Sequence, residues 1–154
     1  MSDEGGRGLE SVLGWNAVKV ARIIGFQITA GMAEHDVGLV QFGVLSCLAD
    51  GAELTSAEIA RAVFVRPQTM SDVLDGMERH GLVHRVGIRA RGRRNPAAIT
   101  PAGRAVLDAV QEVALATNDL SMFGLDASRS AELNALLLAV IDGAEKAPGV
   151  ADAH

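Results

Sequence analysis

The stretch from Leu54 to Thr100 constrains this chain most. It reads LTSAEIARAVFVRPQTMSDVLDGMERHGLVHRVGIRARGRRNPAAIT. Thr55 is followed three residues later by Glu58, the spacing of a capping box, so a helix is expected to start at Ser56. Ile59, Ala60 and Val63 give it one apolar side, and it ends at Phe64-Val65-Arg66. Pro67 cannot sit inside a helix but suits a first turn, where its missing N–H costs nothing. A second helix is therefore predicted from Pro67 to about Arg79, with Met70, Val73, Leu74 and Met77 as its buried stripe and Gly81 as its stop. Its other face carries Gln68, Thr69, Ser71, Asp72 and Asp75.

An apolar, β-prone run follows, Leu82-Val83-His84-Arg85-Val86, and reads as a strand. Next comes GIRARGRRNP, a loop loosened by Gly87 and Gly92 and loaded with Arg89, Arg91, Arg93 and Arg94. Ala97-Ala98-Ile99 returns as a second strand, which Pro96 confines to an edge or a short ladder. Two short helices followed by a basic hairpin make a winged helix-turn-helix.

Charge narrows the function. Residues 61 to 94 hold eight arginines against three acids, a balance of +5 in a chain whose formal net charge is -5. The remainder therefore carries -10. An acidic body with one basic loop is a directed electrostatic footprint, suited to phosphates or to a narrow, electronegative minor groove. The bland alternative is a solvated charged turn. Gln and Ser on a helix that enters a major groove can meet base edges or phosphates. Asp72 and Asp75 oppose this, because an acid repels phosphate, although Asp can accept from a cytosine amino group.

With these residues in view, the chain resembles the MarR family of bacterial transcriptional regulators from Leu39 to about Leu138. The resemblance rests on LTSAEIARAV, QTMSDVLDGMERHGLVHR and ITPAGRAVL, and on the order helix, helix, strand, wing, then T-P-A-G opening a long helix. It implies a homodimer on a palindromic operator, usually a repressor released by a small molecule. By that pattern Gln68, Thr69 and Ser71 fall on recognition-helix contacts, and Arg93 on the arginine of an Asp-x-Arg wing motif. Two departures stand out. Arg91 replaces the wing aspartate and is followed by Gly92, and Asp72 stands where a basic residue is frequent. Both shift the expected affinity toward the wing. The DNA-contacting set read from this stretch is Arg66, Gln68, Thr69, Ser71, Asp72, Arg89, Arg91, Arg93 and Arg94.

The flanks complete a mainly α (α+β) fold with long N- and C-terminal dimerisation helices. Residues 1–8 and 148–154 read as disordered tails, residues 9–36 and 101–147 as dimerisation helices, and residues 37–100 as the winged DNA-binding lobe. A first helix is expected over roughly Leu9–Ala33, with Leu13, Ala17, Val20, Ile24 and Ile28 as its buried stripe, widened by Val12 and Ala21. Gly14, Gly25 and Gly31 weaken it. Val37–Leu48 is a second helix, ended by Asp50-Gly51. Thr100 caps a helix running from Pro101 to about Leu120, with Val106, Val110, Val113 and Leu120 on one side. Phe123-Gly124-Leu125 is a connector, and Asp126 or Ser128 caps a last helix ending near Lys146, with Leu133, Leu136, Leu137, Val140 and Ile141 apolar. Two copies packed together would bury these stripes; a monomeric helical bundle is the alternative.

Some members of the family bind aromatic acids between the dimer helices and the winged lobe. In that scheme Trp15 supplies an aromatic wall, Arg22 a partner for a carboxylate, and His35 lies near the end of the same helix. The competing reading packs Trp15 in a dimer core and pairs Arg22 with an acid of the partner. Cys47, between Leu45 and Leu48, reads as a buried, inert thiol. Some relatives sense oxidants through a cysteine near the start of the first helix, and that position has none here. His35, His80, His84 and His154 form no metal pattern, and no phosphate loop, dinucleotide fingerprint or nucleophile motif occurs. No enzyme, metal or cofactor is implied. No signal peptide or membrane-length apolar run is visible, so residence in the cytoplasm, without a membrane partner, is expected. The partners read from the sequence are double-stranded operator DNA, a second copy of the chain and a small-molecule effector. The competing function is a winged-helix protein-interaction module that has lost DNA binding, a reading favoured by Asp72, Asp75 and the net acidity.

Overall fold

The computed structural model describes residues 8–87 and 95–147. Its helices are α1 (Leu13–Met32), α2 (Leu39–Cys47), α3 (Ser56–Ala62), α4 (Pro67–Arg79), α5 (Pro101–Ala116) and α6 (Ala127–Lys146), with strands β1 (Val83–Arg85) and β2 (Ala97–Ile99) between α4 and α5. Thr55 caps α3 as its spacing requires: its hydroxyl accepts from the Glu58 N–H at 3.3 Å, and Glu58 Oε2 accepts from the Thr55 N–H at 2.8 Å. The Thr55 hydroxyl also donates to Glu58 Oε2 at 2.7 Å, and this bond, with the one from the Thr55 N–H, holds the Glu58 carboxyl below the usual carboxylate range. Pro67 is the first residue of α4.

Both short helices end in the same way. After α4, Gly81 takes φ 73, the Leu82 N–H donates to the Met77 carbonyl and the Gly81 N–H to Glu78, both at 3.0 Å. After α3 the left-handed position is held by Phe64, φ 54, and the Val65 N–H reaches the Ala60 carbonyl at 3.0 Å. Each pair closes a Schellman turn. The α3–α4 turn thus forms without glycine.

β1 and β2 pair antiparallel, Val83 opposite Ile99 and Arg85 opposite Ala97. Leu54 bridges the other edge of β2, exchanging backbone hydrogen bonds with Ala97 at 3.1 and 2.7 Å. The helix-turn-helix core lies under this ladder. Val44, Leu45 and Leu48 of α2 and its cap, Ile59 and Ala60 of α3, and Met70, Leu74 and Met77 of α4 are buried with Val83, Ala97 and Leu107. The predicted stripe of α4 is therefore the core stripe, with Val73 at its margin. A smaller cluster of Met32, Val37 and Val110 joins the end of α1 to α5. Val37 precedes α2 and packs in the same cluster as Phe42, a staple that sets the entry into that helix.

Several expectations need correction. The first helix does not begin at Leu9. Leu9–Ser11 form a 3-10 turn and Val12 is extended, because Ser11 Oγ donates to the Gly8 carbonyl at 2.9 Å and the Asn16 amide to the Glu10 carbonyl at 2.8 Å. Such side-chain bonds compete with the helical ladder. Ala33–His35 form another 3-10 turn. α2 begins two residues later than predicted, where Gln41 Oε1 accepts from the Gly38 N–H at 2.8 Å, and the first strand is shortened to Val83–Arg85. α5 stops at Ala116, not near Leu120. The Thr117 hydroxyl turns back onto the Ala114 carbonyl at 2.6 Å, and Asp119 Oδ1 accepts from the Ser121 N–H at 2.9 Å to open a 3-10 turn over Ser121–Phe123. Leu120 is buried there, outside the helix.

The stripe of α1 is not buried within one chain. Leu13 is 82% exposed, Val12, Ala17, Val20 and Ala21 are exposed, and only Ile24 and Ile28 are half-buried. α6 buries no residue at all. Cys47 is half-buried rather than fully buried, and desolvation raises the pKa of its thiol. The thiolate is thus scarcer at neutral pH than for a free cysteine. Alkylation of the native protein by iodoacetamide at pH 7.5 should run several-fold slower than that of free cysteine. A rate equal to the free thiol would reverse this reading. Cys47→Ser should change stability rather than response to mild peroxide.

Candidate nucleic-acid interface

α4 presents the face that its buried stripe leaves over. Met70, Leu74 and Met77 point into the core, so the 3.6-residue repeat turns Gln68, Asp72 and Asp75 outward, with Thr69 on the flank. Gln68, Thr69, Asp72 and Asp75 are exposed. Ser71 is half-buried, and its hydroxyl donates to the Pro67 carbonyl at 3.2 Å, which leaves the oxygen as an acceptor toward a ligand. Arg66 is exposed at the N-cap of α4. The structure thus brings Arg66, Gln68, Thr69, Ser71 and Asp72 onto one accessible helix end. Arg89, Arg91, Arg93 and Arg94 lie outside the described residues, as do the tails 1–7 and 148–154.

The two aspartates part company. Asp72 has no ion pair among the described residues. Asp75 accepts from Arg85 Nη2 at 3.3 Å, and Arg85 is the last residue of β1. Arg85 Nη1 also donates to the Asn95 carbonyl at 3.4 Å, and the Arg85 N–H to Glu78 Oε1 at 3.4 Å. Asn95 in turn donates from its side-chain amide to the Gly87 carbonyl at 3.3 Å, and the Val86 N–H to Pro96 at 2.8 Å. The loop end of the hairpin is therefore tied to the exposed face of α4. Sequence reasoning counted Arg85 as bulk charge and Asp75 as a charge against nucleic acid. The signal that pairs them is their placement on either side of the Gly81 turn, which the fold brings together.

The hairpin is latched to α5 from its other end. Thr100 Oγ1 donates to the Gly81 carbonyl at 2.6 Å and accepts from the Gly103 N–H at 3.0 Å. α5 thereby starts directly on the α4–β1 turn.

Trp15, Arg22 and His35 are all exposed and are strung along roughly 30 Å of helix at about 1.5 Å per residue. The structure does not bring the three into one cavity of a single chain. An open groove of about 800 Å3 lies elsewhere, between α5 and α6, lined by residues including Ile24, Leu120, Leu133 and Leu137. No group of three or more His, Cys, Asp or Glu residues suited to a metal occurs among the described residues. None of the described helices is long and apolar enough to cross a membrane.

Comparisons with known proteins agree with this geometry. The model of the MarR family matches residues 35–94, from the end of α1 through the arginine-rich loop. The HTH-type transcriptional repressor Rv2887 of Mycobacterium tuberculosis is 30% identical over 128 residues, covering 83% of this chain and 92% of that protein. The crystal structure of Rv2887 in complex with DNA superposes with a TM-score of 0.67 at 29% identity, covering 83% of this chain and 96% of that one. Its complex with salicylic acid gives a TM-score of 0.68 at 30% identity, covering 83% and 95%. The chain belongs to the MarR family, whose members are DNA-binding transcriptional regulators and not enzymes.

Proposed function

We propose that the protein is a homodimeric repressor that binds a palindromic operator and leaves it when a small aromatic or otherwise amphipathic acid binds. The observation that carries this reading is the accessible face of α4, fixed over a fully buried stripe and tied to a basic hairpin. Gln68, Thr69, Ser71 and Asp72 read base edges, and Arg66, Arg89, Arg91, Arg93 and Arg94 supply phosphate or minor-groove contacts. Residues 37–100 form the DNA-binding lobe, and residues 9–36 and 101–147 the dimerisation helices. Exposed apolar side chains on α1 and α6, and the open α5–α6 groove, support burial against a second copy. A two-fold dimer sets its recognition helices about one turn of DNA apart. The protein works in the cytoplasm, where its operator is.

The test is a mobility shift on a duplex carrying the DNA upstream of the protein's own gene, with sedimentation at micromolar concentration. Salt-sensitive binding and a mass near twice 16.0 kDa are expected. A mass near 16.0 kDa would sink the dimer. Absence of any shift would favour the protein-interaction module instead.

The effector site is assigned to Trp15, Arg22 and His35, contributed around the dimer interface. The relative Rv2887, crystallised with salicylic acid and with p-aminosalicylic acid, supports an aromatic carboxylate as ligand. A buried carboxylate needs a cationic partner, and of the two cations on α1, Lys19 and Arg22, the planar fork of Arg22 suits a carboxylate better. Arg22→Ala should raise the salicylate concentration needed for release while leaving operator affinity nearly intact. Unchanged salicylate affinity by calorimetry would remove Arg22 from the site, and loss of the dimer would assign it to packing.

A further inference from the structure

We infer that Arg85 and Asp75 are positioning residues for DNA reading: their ion pair fixes the recognition helix α4 relative to the Arg85–Asn95 end of the β1–β2 hairpin, the end from which its connecting loop leaves. The inference rests on the proposal above that both elements face DNA. Arg85 itself is poorly placed to touch phosphate. Its side chain is only 16% exposed, against 61% for Asp75. Both of its terminal guanidinium nitrogens are engaged, Nη2 on Asp75 at 3.3 Å and Nη1 on the Asn95 carbonyl at 3.4 Å.

The geometry of the guanidinium matters here. One planar fork reaches a helix side chain on one side and the returning strand's approach on the other, so α4 and the hairpin cannot rotate apart without losing a charge-assisted bond. Asn95 and Gly87, the described residues that bracket the intervening loop, are joined at 3.3 Å on the far side of the same clamp. The Glu78 carboxylate takes the Arg85 backbone N–H, a second link between the same two elements. β1 and β2 have three residues each, too short a ladder to hold the hairpin's direction alone. Asp75 thus holds the hairpin from a helix proposed to face DNA, while placing a negative charge near phosphate.

This gives a test in which electrostatics and positioning have opposite signs. Asp75→Asn removes a negative charge from the DNA-facing surface, which by charge alone tightens binding to any duplex. Loss of positioning weakens it. Binding is measured by fluorescence anisotropy on the upstream duplex and on a scrambled duplex, well below the melting temperature of each variant. Asp75→Asn should weaken operator binding roughly tenfold, with a smaller change on the scrambled duplex. Arg85→Gln should do the same, the double variant should be no worse than either single one, and Arg85→Lys should recover part of the loss. A helix that merely needs the pair for stability would melt earlier yet bind normally once folded.

Operator binding by Asp75→Asn as tight as wild type or tighter would overturn the inference, as would additive losses in the double variant. Asp75 is mostly exposed, so that variant remains decisive even if Arg85→Gln does not fold. Failure of the wild-type protein to bind either duplex would overturn the DNA-binding reading and this inference with it. Normal wild-type binding with an unaffected Asp75→Asn overturns only the inference.

Discussion

Arg93→Ala is expected to weaken binding to operator and to random duplex alike, and to lower the slope of log affinity against log salt by roughly one per site. Between Gln68 and Glu78 the recognition helix carries Asp72 and Asp75 and no arginine. Arg85 neutralises Asp75 but is too buried to attract phosphate itself. In the proposed complex most of the long-range attraction then comes from the four arginines of the loop, joined by Arg66 at the N-cap of α4, with Arg93 proposed as the wing arginine. If Arg93 enters a narrow minor groove, the loss should be larger on A·T-rich sites. Gln68→Ala should behave differently, relaxing discrimination between sites by about 1–3 kcal/mol at a contacted base pair with little change in salt slope. A salt titration of wild type and both variants on operator and scrambled duplexes separates these outcomes. Unchanged affinity and slope for Arg93→Ala would take the wing out of the mechanism.

The largest stability effect is expected at Gly103. A Cβ there would collide with the Leu82 backbone carbonyl and press on the Ile99 side chain at 3.0 Å. Leu82 cannot yield freely, because its carbonyl accepts from the Thr100 N–H at 3.1 Å and its own N–H donates to Met77 at 3.0 Å. Gly103→Ala should therefore cost about 1–3 kcal/mol or more, as overpacking does, and lower the melting temperature by several degrees. Gly76→Ala is the natural contrast. Its Cβ would meet only the tip of the Arg79 side chain at 3.7 Å, so removing the entropic penalty of a mid-helix glycine should stabilise by about 0.5–1 kcal/mol. Melting at one fixed protein concentration tests both, since the proposed dimer would make the midpoint concentration-dependent. Equal melting temperatures for the two variants would refute the close packing of α5 on the α4–β1 turn.

The sequence by itself determined the elements whose signals are local. Thr55 with Glu58, Pro67, Gly81, and Thr100 with Pro101 each fix a helix end through bonds to neighbours a few residues away, and α3, α4, β2 and the start of α5 fall where those residues place them. The α4 stripe was legible because a buried face must repeat with the helical period. Local competition also misled. Ser11, Asn16 and Thr117 divert their backbone neighbours from the helix, and periodicity is blind to that.

Only the tertiary structure decided what depends on residues far apart in the chain or lacking a type-specific signal. Phe64 occupies a left-handed position normally marked by glycine, Leu54 pairs with Ala97 across the whole helix-turn-helix, and Gly31 admits the Val113 side chain where α1 crosses α5. The meaning of Asp75 changed most. In sequence it is an acid on a face that should meet phosphate. In the fold it is the partner of Arg85, ten residues on, because a Schellman turn folds β1 back along α4. A charge has no fixed role until the fold sets its distance to the opposite charge, and the one-dimensional pattern does not contain that distance.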